Sequence, residues 1–337
     1  MNATIAIGRK LSRDIFSKNG VLLVPAYTAL TRKQITLLEN HGISLADDDF
    51  LPETTDAEIL ETQKMIDDAV RQVNELFDEV REGKRVPMEE FRKEVIPVIE
   101  EATHSKSLFG LIKALQSKDD YTYRHNLAVG AFSGLIGSWL GLDCEEQLAL
   151  TTAAFLHDIG KMLVPEEILN KSGPLTDEEY AVMKSHTIRG FEILKKTEGI
   201  DHRQALVALQ HHERMDGSGY PFGLTGSRID FFSRIVAVAD VFHAMTSQRV
   251  YRNPSPFYEV LAQMEKDAFG VLDPAVAKLF ISKIMNTLIG RTVLLSDGST
   301  GTILLIHTQE PTRPLVLIGD EFVNLQEKRS LNIMLIL

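Results

Sequence analysis

Seven of the ten histidines in this chain fall between residues 125 and 243, and five of them could form one metal-binding set: His125, His157, His186 and the adjacent pair His211 and His212. Asp158 follows His157 directly, and Asp240 lies in an apolar stretch, so imidazole and carboxylate donors arrive from at least five separate segments. Hard and borderline divalent cations take that mixture of nitrogen and oxygen ligands. A chain that gathers so many donors is expected to hold more than one ion. A carboxylate beside an imidazole can bridge two cations, and bridging lowers the pKa of a shared water, which then becomes the nucleophile of a hydrolysis. Lys161, about one turn beyond Asp158, is placed to meet a phosphate oxygen as a point charge.

The elements that must carry these groups are helices. His157 and Asp158 close an alanine- and leucine-rich run, Leu148 to Leu156, whose end is marked by Gly160. His125 shares an apolar stripe with Val129, Phe132, Ile136 and Trp139, and His186 sits among Met183, Gly190 and Leu194. Either histidine taken alone reads more readily as a core residue, and the joint pattern is what marks them as ligands. His211 and His212 end another helix, where neighbours point about 100° apart and can flank one ion between their faces. The loop that follows, Asp216-Gly217-Ser218-Gly219-Tyr220-Pro221, has glycines that permit positive φ and a proline that stiffens its exit. It should hold Tyr220 beside the metals, with its ring against a base or its hydroxyl on a phosphate. Asp240 is set in Arg234 to Phe242, where an unpaired carboxylate would be costly. Arg249 and Arg252 flank Tyr251, a spacing suited to phosphate oxygens or guanine edges and equally to a solvated surface.

Composition narrows the class. With 337 residues, 44% hydrophobic and 25% charged, the chain can bury a large core across two or three domains. No apolar stretch approaches the roughly 20 residues of a membrane span, and Met1 to Lys10 lacks a signal-peptide pattern. Cys144 is the single cysteine, so no internal disulfide forms and a reducing, cytoplasmic setting is expected. A net charge of -11 argues against polymeric nucleic acid as partner. A small anionic substrate stays possible, because bound divalent ions would dominate the local field.

The sequence predicts a mainly α protein in four parts. Residues 1–50 read as a small α/β module, with strands at Ile5 to Ile7 and Val21 to Val24, a turn at Lys18-Asn19-Gly20, and a helix after Thr31. Residues 51–105 read as a helical linker. Within it, Ile59, Ile66, Ala69, Val73, Leu76 and Val80 follow heptad-like spacing over 54–82. That stripe serves either a homodimeric coiled coil or an intramolecular seam against Phe91, Val95, Val98 and Ala102. Residues 106–288 read as almost wholly helical and catalytic, and 289–337 as a small β-rich subdomain punctuated by Asp297-Gly298 and Gly319-Asp320.

Two motifs in order, His157-Asp158-Ile159-Gly160-Lys161 and His211-His212-Glu213 leading to Gly219-Tyr220-Pro221, resemble the HD-GYP family of the HD phosphohydrolase superfamily. The similarity runs from about Leu108 to Leu288, through Tyr121-Thr122, Pro165, Leu169, Lys171 and Thr246. It implies a helical fold around two or three metal ions, commonly iron or manganese, and hydrolysis of cyclic di-GMP. The resemblance assigns His125, His157, Asp158 and Asp240 to one ion, and Asp158, His186, His211 and His212 to the other. Lys161, Tyr220, Arg249 and Arg252 match positions that contact the dinucleotide, and Asp158 and Lys161 are the expected catalytic pair. A bridging hydroxide would attack phosphorus in line and expel the 3′ oxygen to give linear pGpG, with hydrolysis either stopping there or going on to GMP. Tyr121 stands where members with a third metal carry glutamate, so two ions are expected. His243 stands where the family usually has aspartate, and would either weaken metal binding, alter the substrate, or add a ligand. The alternatives are the same fold acting on another cyclic or linear dinucleotide, and an adaptor that binds cyclic di-GMP without hydrolysis.

Overall fold

A computed structural model describes residues 7, 9–25, 28, 30–50, 56–103, 108–115, 121–247 and 257–337; the side chains of 47, 56–59, 76, 109, 113, 121 and 122 lie outside that description. Chain order begins with a two-stranded antiparallel hairpin, β1 (Ile15–Phe16) and β2 (Leu22–Val24), and helix α1 (Arg32–Asn40). Helices α2 (Asp56–Arg81), α3 (Met88–Glu94), α4 (Ile96–Thr103), α5 (Leu108–Leu115), α6 (Tyr121–Leu140) and α7 (Cys144–Leu156) follow. After a 3-10 segment at Ile159–Leu163 come α8 (Glu166–Leu169), α9 (Asp177–Lys184), α10 (His186–Leu194) and α11 (His202–Gln210). The last helices are α12 (Phe231–Thr246), α13 (Phe257–Asp267) and α14 (Pro274–Asn286). Strands β3 (Thr292–Leu295), β4 (Thr300–Leu305), β5 (Leu315–Ile318), β6 (Glu321–Asn324) and β7 (Ile333–Ile336) close the chain. No described helix is long and apolar enough to cross a membrane.

The chain divides into two compact units. One comprises Met1–Thr55, Lys106–Leu108 and Ile281–Leu337; the other comprises Asp56–Ser105 and Phe109–Phe280. In the first, Leu11, Ile15, Val24, Leu30, Ile35, Leu38 and Phe50 form a small apolar core. The turn lies at Lys18-Asn19-Gly20, with Gly20 at φ 76°. The strand that enters it is Ile15–Phe16. Residues 5 and 6 lie outside the described set, and Ile7 sits in a turn. The C-terminal strands form one antiparallel sheet in the order β6-β5-β4-β3-β7. Alternation puts Val293, Leu295, Ile303, Val316 and Ile333 inside.

The second unit is built around α6, which is buried on every side from Tyr123 to Gly137. A helix apolar all round must be surrounded, and α2, α4, α7 and α12 surround it. Phe132 meets Phe242 edge-on at 5.1 Å, and Phe242 meets Phe280 at 4.9 Å, which ties α6 to α12 and α14. Phe77 and Phe91 close on Phe155 from the other side. The heptad-like stripe of α2 serves this core: Ile66, Ala69, Val73 and Val80 are buried within the chain, and α3, α4 and α6 all pack on α2. Ile59 and Leu76 belong to the same expectation, but their side chains lie outside the description. Arg124 of α6 is buried and held by Asp67 of α2 at 2.5 Å.

Candidate metal centre

The expected donors sit where helices begin, end or cross. Helix α7 is started by Asp143, whose carboxylate accepts from the Glu146 amide at 2.9 Å, with Glu145 and Glu146 in the first turn facing the helix dipole. Its C-terminus delivers His157, and Asp158 leads into the 3-10 turn. Helix α11 starts with a reciprocal cap between Asp201 and Gln204 and ends at His211. Helix α10 opens on His186, while α6 and α12 contribute His125 and Asp240 from their buried faces. Gly160 makes the convergence possible. A Cβ there would lie 2.0 Å from the His186 carbonyl oxygen and 2.5 Å from the Gly190 nitrogen, so only glycine lets the Asp158 turn lie on α10.

Asp158 stands at the centre, and its two oxygens face different histidines. Oδ2 is 3.3 Å from His157 Nε2 and 3.7 Å from His125 Nε2. Oδ1 is 3.3 Å from His186 Nε2 and 3.6 Å from His211 Nε2. Two donor sets therefore share one carboxylate: His125, His157 and Asp158, and Asp158, His186, His211 and His212, each with its donor atoms within 4.8 Å of one another. Asp240 spans both, with Oδ1 3.2 Å from His125 Nε2 and Oδ2 3.8 Å from His212 Nδ1. Lys161 Nζ lies 2.5 Å from Asp158 Oδ2.

The imidazoles are oriented as ligands. His157 Nδ1 lies 2.7 Å from the Ala154 carbonyl, His186 Nδ1 2.7 Å from that of Met183, and His211 Nδ1 3.1 Å from that of Val207. A carbonyl only accepts, so each Nδ1 carries the proton and each Nε2 turns a lone pair inward. The lone pairs of His186 and His211 then face one another at 3.4 Å, an arrangement that asks for a cation between them. His157 Nε2 and Asp158 Oδ1 are buried without a hydrogen bond of acceptable geometry, which is costly unless a ligand completes them. The donor set thus fits a divalent metal by chemistry, orientation and unmet bonding capacity.

His125 is oriented from farther away. Its Nδ1 is 2.9 Å from Nδ1 of His243, and His243 Nε2 lies 2.9 Å from Ser247 Oγ and 3.3 Å from the Leu115 carbonyl. The carbonyl fixes the proton of His243 on Nε2, so its Nδ1 accepts from His125, whose Nε2 is left facing Asp158 and Asp240. His243 therefore stands behind His125 and adds no donor to the shared centre.

Electrostatics set the protonation states that a metal needs at Asp158, Asp240, His125, His211 and His212. Burial alone would raise the carboxyls of Asp158 and Asp240, but the surrounding imidazoles, and Lys161 for Asp158, hold both well below the usual range. Burial pushes His211 down to about 4, and burial with the neighbouring His211 drives His212 well below its ordinary value. His125 is lowered by burial against the pull of Asp240. His157 goes the other way: burial opposes its proton, yet the Asp158 charge holds it above the ordinary value.

Tyr220 lies against the donor cluster. Its amide donates to the His212 carbonyl at 3.2 Å, and its ring lies 4.7 Å from that of His212 at 33°. Gly219 is required before it, since a Cβ there would meet the His212 oxygen at 2.4 Å. Buried Glu213 holds the loop by accepting from the Phe222 and Leu224 amides, each at 2.8 Å. Burial, followed by the nearby Tyr180 and Asp158, raises the Tyr220 hydroxyl, which keeps its proton.

All seven expected ligands, with Lys161 and Tyr220, are thus brought to one place, whereas Arg249, Tyr251 and Arg252 lie outside the described residues. The loop-holding role of Glu213 was not legible in advance, and of the outcomes left open for His243 the structure places it behind His125 rather than among the ligands. A glutamate ahead of a glycine-rich loop offers acceptors for its amides, and a histidine three residues after Asp240 shares its helical face; those were the available signals.

The HD domain family model matches residues 110–276. Over 215 residues the chain is 36% identical to the cyclic di-GMP phosphodiesterase PA4108 of Pseudomonas aeruginosa, covering 64% of this chain and 51% of that protein. Over 179 residues it is 42% identical to a cyclic di-GMP phosphodiesterase of Thermotoga maritima, covering 52% and 49%. The chain spans about half the length of these curated relatives. In structure it is similar to Bd1817, an HDG"Y"P protein from Bdellovibrio bacteriovorus, with a TM-score of 0.54 over 84% of this chain and 97% of that one. At 17% identity that likeness speaks for the fold.

Proposed function

We propose that the chain, matched by the HD domain family model over residues 110–276, belongs to the HD-GYP branch of that family and is a metal-dependent phosphodiesterase that opens cyclic di-GMP to linear pGpG, the linear product being either released or cleaved on to GMP. One observation carries the reading: Asp158 turns one oxygen to His125 and His157 and the other to His186 and His211. His125, His157, Asp158 and Asp240 would hold one cation, and Asp158, His186, His211 and His212 the other, with iron or manganese suited to this nitrogen and oxygen set. Such a pair supplies Lewis acidity toward a phosphodiester and an activated water as nucleophile.

The chain's own residues do the rest. Lys161 offsets the buried charge of Asp158 and reaches toward a phosphate oxygen beside it. Tyr220, protonated and stacked on His212, offers a hydroxyl donor and a ring beside the donor cluster. Arg249 and Arg252 are assigned to the phosphates or guanine edges of the dinucleotide. With a single cysteine, the enzyme suits the reducing cytoplasm.

The test is metal analysis of anaerobically purified protein combined with chromatography of products from a panel of cyclic and linear dinucleotides. Two ions per chain, with pGpG preceding any GMP, is the expected result. Turnover of a hybrid cyclic GMP-AMP but not of cyclic di-GMP would move the substrate assignment. Tight binding of cyclic di-GMP that stays intact in metal-loaded protein would make the chain an adaptor.

A further inference from the structure

We propose that Tyr180 and Lys184 of α9 form, with Tyr220, a nucleobase-binding rim that sets the affinity of the site for its substrate; this rests on the reading of the substrate as a nucleotide phosphodiester. The Tyr180 ring meets Tyr220 edge-on, with centroids 6.4 Å apart and planes at 75°. Tyr220 in turn lies on His212, so a single ring separates Tyr180 from the donor cluster. Lys184 Nζ stands 4.9 Å from the Tyr180 ring centroid and 6.0 Å from that of Tyr220.

Tyr180 is 46% exposed, an unusual position for a ring already packed edge-on beside a buried polar centre. An edge-on contact engages one rim of the ring and leaves faces for another planar group. Stacking on such a face suits any base, whereas the fixed cation beside it suits a phosphate or the carbonyl edge of a purine. Lys184 forms no ion pair among the described residues, unlike Lys161 with Asp158 and Lys171 with Glu179. The support is firm. Helix α9 begins with a reciprocal cap between Thr176 and Glu179, and Lys171 also binds Glu179. Tyr180 and Lys184, four residues apart, share one face of that short helix, and His186 follows two residues later in the donor cluster. A phosphodiester drawn to the donors would therefore carry its base outward past Tyr220 and onto Tyr180.

The test compares full-length, manganese-loaded wild type with Tyr180→Ala, Tyr180→Phe, Lys184→Ala and Lys184→Arg. The substrates are cyclic di-GMP and dimethyl phosphate, a diester without planar groups whose products are read by chromatography. Tyr180→Ala should raise KM for the dinucleotide about tenfold, with kcat and metal content unchanged. Tyr180→Phe should restore the wild-type KM, because the ring face rather than the hydroxyl acts. Lys184→Ala should raise KM for the dinucleotide and Lys184→Arg restore it, and turnover of the ring-free diester should not move in Tyr180→Ala. An unchanged KM in Tyr180→Ala, or an equal loss on the ring-free diester, would overturn the rim. Calorimetric titration with GMP keeps this idea apart from the proposed activity. Wild type that turns over no dinucleotide, yet binds GMP more tightly than Tyr180→Ala does, would sink the activity and uphold the rim. Equal GMP affinity in the two proteins, or no GMP binding by wild type, would overturn the rim.

Discussion

The imidazoles of the metal centre are held by two different means, and the locally held and distantly held parts differ accordingly. At the end of α7, at the start of α10 and at the end of α11, three imidazoles are each fixed by a carbonyl of their own helical turn, three or four residues back: Ala154 for His157, Met183 for His186 and Val207 for His211. On the side of α6 and α12, His125 is fixed by His243, 118 residues away, which is itself fixed by Ser247 and the Leu115 carbonyl. Local support survives as long as the helix does. Distant support exists only when α6 and α12 are packed, so this half couples metal binding to the buried core.

Asp158→Ala should do the most damage, because it removes the one group that both halves share. Metal content should fall for both sites and activity should reach background, as read by elemental analysis and product chromatography. A variant that stays fully metallated and active would break the division of the centre into two sets around one carboxylate.

Acid should separate the halves next. His211 is held at about 4 when folded, against 6.5 for the unconstrained side chain. Between those values the unfolded state binds a proton that the folded state refuses, so stability rises with pH across the window and is lost as pH falls from about 6.5 to about 4. From His211 alone the loss is on the order of 3 kcal/mol. His212 adds in the same direction, while His125 is shifted down and His157 up. Urea titrations of metal-free protein across this window should show the slope, and His211→Gln should flatten it. A wild-type profile flat between these limits would show that the depressed imidazoles are not a property of the folded chain.

His243→Ala probes the distant support. Loss of a partner that orients a ligand typically costs about 10- to 100-fold in metal affinity, and the loss should fall on the His125 half. A chelator titration should therefore become biphasic, with one ion leaving early and the other held as in wild type. His243→Asp keeps an acceptor for the His125 proton and should recover most of the affinity. Uniform weakening of both ions would erase the contrast between the halves.

This contrast also explains what the sequence allowed to be read. The residues of the locally held half are contiguous, as in His157-Asp158 and His211-His212 with its glycine-rich loop, and their geometry follows from helix ends and positive-φ turns. His125 was identifiable from its place on a helical face, but its partner was not, because register between α6 and α12 is decided by Phe132, Phe242 and Phe280 in the core. The same limit explains the first strand. Ile5 and Ala6 of the expected first strand lie outside the described residues, and the run that pairs with Leu22–Val24 is Ile15–Phe16, which no local pattern announced. The α2 stripe left two partners open, and packing within the chain buries its described members Ile66, Ala69, Val73 and Val80.

The smallest effect should come from Glu213→Gln, which touches neither half directly. The carboxylate accepts from two amides, at Phe222 and Leu224, through separate oxygens. An isosteric amide has one acceptor oxygen, so one backbone N–H would be left facing an NH2 group, at about 1–3 kcal/mol for a buried donor without a partner. That cost is confined to the loop, whose link to the donors runs through Tyr220, hydrogen-bonded to the His212 carbonyl and stacked on its ring. Metal content should stay at the wild-type level, in contrast to His243→Ala, while KM rises several-fold and amide exchange at residues 222 and 224 accelerates. Loss of metal in Glu213→Gln would mean that the loop is a third support of the centre, and that the locally held half is less self-sufficient than its carbonyl contacts imply.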